Sequence, residues 1–329
     1  MAKRILRKVS IGLGAFAVIT AGAAVGTYVW ARSAAAAKLS TRHDAHTADF
    51  AIPFPLAPDD AARVQTAGGD PKRVALEQAV ARGKHLLAAR YACQECHGAN
   101  FGGGKMIDDP AIGTVLGPNL TAGRGGRTQS YTAADWDRIV RHGIKPDGTA
   151  AVMPSEDFAR MSDQELSDII AYIRSVPAVD NEVPAPVMGP LGSVLLALGK
   201  IPLSAETIAD HRRAHAALPP EDGPTLELGA HLAATCTGCH GPNLSGGPVA
   251  GGDPSWPPAA NLTPHTAGLA DWSEADFVRS MREGVSRDGR MLRDPMSKVT
   301  PWTSKMTANE LKALWMHLRA QPAVSTGVR

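Results

Sequence analysis

Apolar residues fall along this chain in two rhythms. From Val9 to Ala31 they run without a single charge. As a helix that run covers roughly 34 Å, enough to cross a bilayer. Further along, apolar side chains recur every three or four residues, at Leu166, Ile169, Ile170 and Ile173 and again at Leu311, Leu314, Trp315 and Leu318. That stripe is the core-facing side of an amphipathic helix. The helices carry their own start signals. Thr132, Ser273, Ser162 and Thr307 are each followed three residues later by Asp135, Asp276, Glu165 and Glu310, so hydroxyl and carboxylate can satisfy the free N–H groups of a helix start; with Glu this is a capping box, with Asp a shorter relative. Pro177 and Pro322 end two of these helices. VALEQAVARGKHLLAARYA (74–92) and LELGAHLAAT (226–235) read as further helices. There is no glycine-rich phosphate loop and no strand-rich region, so the pattern predicts an all-α fold.

The same elements occur twice in the same order. YTAADWDRIVRHG (131–143) lies on WSEADFVRSMREG (272–284), and MSDQELSDIIAYIRSVPA (161–178) on MTANELKALWMHLRAQPA (306–323), both without a gap. GPNLT (117–121) answers AANLT (259–263). Such internal repetition divides the chain into an N-terminal apolar helix (1–32), an irregular lead-in (33–79), a first unit (80–178), a Pro-rich linker (179–224), a second unit (225–323) and a tail (324–329). Within the linker, LGSVLLALGKIPL (191–203) is too short for a second span and is expected to pack against the units.

Charge refines the picture at the N-terminus. Lys3, Arg4, Arg7 and Lys8 precede the apolar run, which orients it with the N-terminus in the cytoplasm and everything after Trp30 exported. A signal peptide cut near Ala34 to Ala37 is the alternative to a retained single-pass membrane anchor. The formal charge of +2 comes from this end. Of the 34 basic residues five lie in residues 1–32, leaving 29 against 32 acids, or −3, for the exported part. No basic patch argues for nucleic acid.

The chemistry repeated in both units is a pair of thiols followed by an imidazole: Cys93, Cys96 and His97 in CQECH, and Cys236, Cys239 and His240 in CTGCH. The chain has four cysteines in all. A structural zinc needs four ligands close together, and a redox dithiol belongs in a βαβ setting that is missing here. Covalent attachment of haem, with the histidine as an axial ligand, explains the spacing better, while zinc and a disulfide stay as alternatives. Met153 lies 60 residues after Cys93, and Met296 lies 60 after Cys236. That equal spacing marks them as ligands for the opposite face of each iron, with Met291 as competitor in the second unit. Met161 and Met306 precede the capping residues and read as packing. His85 and His231 match between units but stand well before the motifs and read as packed or surface residues. His142 faces Glu283 in the other copy, and His211, His215, His265 and His317 have no histidine counterpart.

These residues resemble class I cytochrome c domains, and the arrangement is similar to the anchored multi-haem cytochrome c subunits and partners of bacterial periplasmic dehydrogenases. The likeness covers residues 80–178 and 225–323. It implies two tandem class I cytochrome c domains with two covalent haem c groups. It also implies that the backbone carbonyl of Pro118, and of Ala260 in the second copy, holds the haem-ligating histidine. The function expected is periplasmic electron transfer between a dehydrogenase and an oxidase, another cytochrome or a quinone-linked complex, with no substrate chemistry at the iron. A di-haem peroxidase is the alternative; a thiosulfate-oxidising enzyme would need a fifth cysteine, and a haem-based sensor would need a signalling domain.

Overall fold

The computed structural model describes residues 2–249, 252–253 and 255–328; the side chains of residues 2–11, including the basic flank Lys3, Arg4, Arg7 and Lys8, lie outside the described residues. Helix α1 (Ala2–Ser40) is continuous. Its residues 12–30 are exposed along their whole length, and Gly12–Ser40, with a mean hydropathy of 1.6, is long and apolar enough to cross a membrane. The burial changes at Ala31 and Ala35, which are enclosed. Ala35 joins Ile144, Ala150, Leu196, Leu203 and Ala205 in a small core, and Lys38 pairs with Glu206 at 2.8 Å.

After α2 (Pro58–Thr66), the first unit comprises α3 (Pro71–Ala89), the single turn α4 (Cys93–His97), α5 (Ala133–His142) and α6 (Asp163–Ser175). The linker carries α7 (Pro190–Ala197) and α8 (Ser204–Thr207). The second unit repeats the first with α9 (Leu226–Ala233), α10 (Thr237–His240), α11 (Glu274–Glu283), α12 (Met296–Thr303) and α13 (Ala308–Ala320). All four sequence-derived capping boxes form, on α5, α6, α11 and α13. Met161 and Met306 are buried in the two cores. α7 packs along α1, so the apolar linker segment shelters the base of the long helix.

In each unit the first helix crosses the last at a glycine. A Cβ on Gly83 would lie 2.0 Å from the Asp168 carbonyl of α6, and one on Gly229 would lie 2.1 Å from the Ala313 carbonyl of α13. Real Cβ atoms do not approach so closely, so any side chain there would separate the pair. Leu166, Ile169, Ile170 and Ile173 fill the first core with Leu86, Leu87 and Trp136. Leu311, Leu314, Trp315 and Leu318 fill the second with Leu228, Leu232 and Phe277.

One element departs from the helical expectation. β1 (Gly104–Asp109), β2 (Gly113–Gly117) and β3 (Val187–Met188) form a small antiparallel sheet in that order. The β1–β2 turn closes because Asp109 Oδ1 accepts the N–H groups of Ala111 and Ile112, both at 2.8 Å, an Asx turn that competes well with helix. The helical architecture of both units is untouched by this sheet.

The units meet around a buried ionic node. Arg90, at the end of α3, donates to Glu165 (3.1 Å) and to Glu310 (2.6 Å), the capping carboxylates of α6 and α13. His85 of the first unit reaches Glu310 at 2.8 Å, and His231 of the second reaches Glu165 at 2.9 Å. The two histidines are therefore reciprocal contacts between units. Burial works to raise the Glu310 carboxyl, but the His85 hydrogen bond, the Arg90 charge and the Thr307 N–H outweigh it and hold it at about 2. A carboxyl depressed in the folded state contributes stability above its unfolded value, near 4.5, and loses it as pH falls toward 2. Thermal melting should therefore fall across that interval. Glu310→Gln, which leaves Arg90 short of a charge, should cost roughly 3 kcal/mol at pH 7 and flatten the acid limb. Identical acid limbs for both proteins would remove Glu310 from the node.

Candidate functional site

Each Cys-x-x-Cys-His sits on one tight turn. Three-residue spacing on a helix puts both sulfurs on one side, so Cys93 and Cys96 project together from α4, and Cys236 and Cys239 from the turn that leads into α10. All four thiols are free. Burial, reinforced by Cys96, pushes the Cys93 thiol up to about 12, and burial also takes Cys236 up to about 11; Cys96 and Cys239 move the same way for the same first reason. A redox dithiol needs a lowered thiol, and these are raised.

The histidines following these pairs are held identically. His97 Nδ1 lies 2.9 Å from the Pro118 carbonyl, and His240 Nδ1 lies 2.7 Å from the Ala260 carbonyl. Burial lowers both imidazoles and so keeps them neutral, with the carbonyl contact opposing it only in part. A carbonyl can only accept, so Nδ1 carries the hydrogen and Nε2 keeps its lone pair free for a metal. The second copy achieves this with Ala260 because the contact uses backbone alone. The chain beyond each motif is bent to allow it: Phe101 and Leu244, four residues past each histidine, both take left-handed φ (58° and 60°), and their carbonyls accept Leu120 N–H and Leu262 N–H at 2.8 Å.

A residue pair that the repeat displayed without revealing its role secures this loop. Asn119 Nδ2 donates to the Val179 carbonyl and Asn261 Nδ2 to the Val324 carbonyl, both at 2.7 Å. Their Oδ1 atoms accept the N–H of Thr121 (2.9 Å) and Thr263 (2.8 Å). The Asn-Leu-Thr triplets thus tie each histidine-holding loop to the chain leaving the last helix of its unit.

Met153 packs against the cluster that also takes in Cys93, and Met296 against the one that takes in Cys236. Met291 points into solvent, 69% exposed. Within the first cluster Trp136 Nε1 is buried with no protein acceptor. The residues present therefore fit a haem: two thiols on one face, a presented imidazole nitrogen, a thioether in the same cluster, and an orphan N–H that a haem carboxylate can satisfy.

The two thiol turns lie at the seam between units. The turn Ser155–Asp157, just after Met153, abuts α10 closely enough that a Cβ on Gly238 would sit 2.5 Å from Asp157 Oδ1. In return Trp302 of α12, which begins at Met296, donates its Nε1–H to Glu95 of α4 at 3.2 Å. Each unit's methionine segment is thus set against the other unit's thiol turn.

Comparison with known proteins agrees with this geometry. The cytochrome c profile matches residues 80–177 and 226–321. The chain is 28% identical over 264 residues to the cytochrome c subunit of alcohol dehydrogenase (quinone) from Gluconacetobacter polyoxogenes, covering 70% of this chain and 54% of that one. It is 26% identical over 269 residues to the fructose dehydrogenase cytochrome subunit of Gluconobacter japonicus, covering 74% and 53%. It is 25% identical over 270 residues to a diheme cytochrome c-type protein of Cereibacter sphaeroides, covering 74% and 86%. The chain spans about half the length of the two dehydrogenase subunits. Since the profile occupies well over half of the residues, once in each unit and around each Cys-x-x-Cys-His turn, the chain belongs to the cytochrome c family and carries two of its domains, with two covalently bound haem c groups.

Proposed function

We propose that this protein is a membrane-anchored, two-haem electron relay on the periplasmic face of a bacterial inner membrane. It exchanges electrons with a dehydrogenase on one side and the respiratory chain, through an oxidase, another cytochrome or a quinone-linked complex, on the other. Met153 and Met296 serve as the axial ligands opposite His97 and His240. The observation that carries the reading is the seam: each methionine segment packs on the other unit's attachment turn, so two redox centres held there would be neighbours. Each haem supplies an iron that changes oxidation state by one electron.

The residues' work is to hold that iron without opening it to substrate. The Pro118 and Ala260 carbonyls fix the two imidazole planes, and a histidine–methionine pair leaves no vacant position while favouring a comparatively high potential. The peroxidase alternative asks for two unlike centres, whereas here the carbonyl, the Asn-Leu-Thr tie and the methionine packing recur in both units. The dehydrogenase partner is supported by the cytochrome subunits of alcohol and fructose dehydrogenases among the relatives. The retained anchor is supported by Ala31 and Ala35, whose enclosed side chains lie before or within the region where a signal peptidase would cut.

Three measurements test the proposal. The denatured protein, made with haem-maturation machinery, should have the mass of the polypeptide plus two haems; a bare polypeptide mass would end the relay reading. Met153→Ala should lower one midpoint potential by on the order of 0.1 V, part of the roughly 0.8 V that axial ligands span, and let carbon monoxide bind one haem. An unchanged redox titration would dismiss Met153 as a ligand. Native protein should require detergent for extraction and keep residues 1–37, whereas a soluble form beginning near Lys38 would show the helix to be a leader.

A further inference from the structure

Three histidines that the repeat does not share come together beside the first unit. His142 ends α5, His211 and His215 lie in the linker beyond α8, and Asp137 lies one turn back on α5. The second unit has Val278 and Glu283 at the positions of Asp137 and His142, so this cluster is no part of the machinery that holds a haem. His142 Nε2 and His215 Nε2 are 3.3 Å apart, and they lie 3.9 and 3.8 Å from the same oxygen, Asp137 Oδ1. All three side chains are enclosed.

A triangle with those three sides has a centre about 2.1 Å from every corner, and zinc bonds imidazole nitrogen and carboxylate oxygen at about 2.0–2.2 Å. Among the described residues this is the group of histidine, cysteine and acidic side chains whose ligand atoms converge in this way. We infer that Asp137, His142 and His215 form a binding site for one divalent transition-metal cation of the zinc type, fastening the linker to the first unit.

The surroundings support a cation in three ways. The far nitrogen of His142, Nδ1, lies 3.1 Å from His211 Nδ1, while His211 Nε2 lies 3.2 Å from the Ala205 carbonyl. With His211 donating to that carbonyl, its Nδ1 accepts from His142, which leaves His142 Nε2 as a lone pair facing the centre; a bound metal wants this outer hydrogen bond. Burial first, with the neighbouring histidines and Arg141, outweighs the Asp137 carboxylate and lowers His142 to about 4, and burial with Arg141 lowers His215 against the same carboxylate. Arg141 does bond Asp137 Oδ1 at 2.6 Å, but it is shared with Asp163 at 2.8 Å. Two carboxylates to one guanidinium leave the box negative, and Oδ1 has a second lone pair for the metal.

The clip would act on the first methionine loop through Ser204. Its Oγ donates to the Met153 carbonyl at 2.6 Å and accepts the Ser155 N–H at 2.8 Å, and it stands seven residues before His211 on the strap that the metal would pin.

The test uses the full-length, untagged, haem-loaded protein in detergent, stripped with a chelator and desalted. Titrated with zinc chloride, it should bind one zinc per chain by calorimetry and keep it through gel filtration, as measured by elemental mass spectrometry. His215→Ala should lose at least tenfold in affinity with an unchanged haem spectrum, while His265→Ala should bind as the parent does. The parent gives a reading free of any variant's folding: saturating zinc should raise its melting temperature, and chelator should reverse the rise. No zinc retained by the parent at micromolar free metal would overturn the inference and leave a hydrogen-bonded chain of imidazoles only. Equal retention by His215→Ala would overturn it too.

Discussion

The relation between the two haem domains depends on one guanidinium. Arg90 sits between Glu165 and Glu310, each of which also caps the last helix of its own unit: one oxygen accepts the N–H of Ser162 or Thr307, and the other faces the seam. The interface and the helix starts are therefore made of the same side chains. A buried charge pair of this kind is costly to break by removing one partner, though its net contribution is modest. What it supplies is a defined relative placement. His85 and His231 complete the node from opposite sides, and that placement brings each thiol turn against the neighbouring methionine segment.

Symmetry is strict where the cofactor is held and relaxed elsewhere. The glycine crossing, the left-handed residue after each histidine, the carbonyl contact and the Asn-Leu-Thr tie all recur. Among the described residues, the first unit alone carries the β-sheet and the histidine cluster, and it alone packs on the base of α1. The differences lie on the faces that join the first unit to the linker and α1.

Much of this was legible because it is local. A capping box needs two residues three apart, so Ser162 with Glu165 and Thr307 with Glu310 announce themselves. The Cys-x-x-Cys-His turns do the same, and the carbonyls of Pro118 and Ala260 followed from family likeness. What the sequence hid is non-local. His85 meets a carboxylate 225 positions away, and nothing around His85 signals that partner. Asn119 and Asn261 were visible as repeated letters, but their role depends on carbonyls about 60 residues further on. Residues 104–117 held too short a half-exposed alternation to stand out from a loop.

The unbroken course of α1 into the small core of Ala35, Leu196 and Leu203 has a mechanical consequence. A flexible stalk would let the redox body roam above the bilayer and meet its partners in any attitude. In the proposed anchored form a continuous helix would do the opposite. It would fix the standoff height, and each degree of tilt in the lipid would become a degree of rotation of the domains above, so a redox partner would have to bring its exit point to a preset elevation.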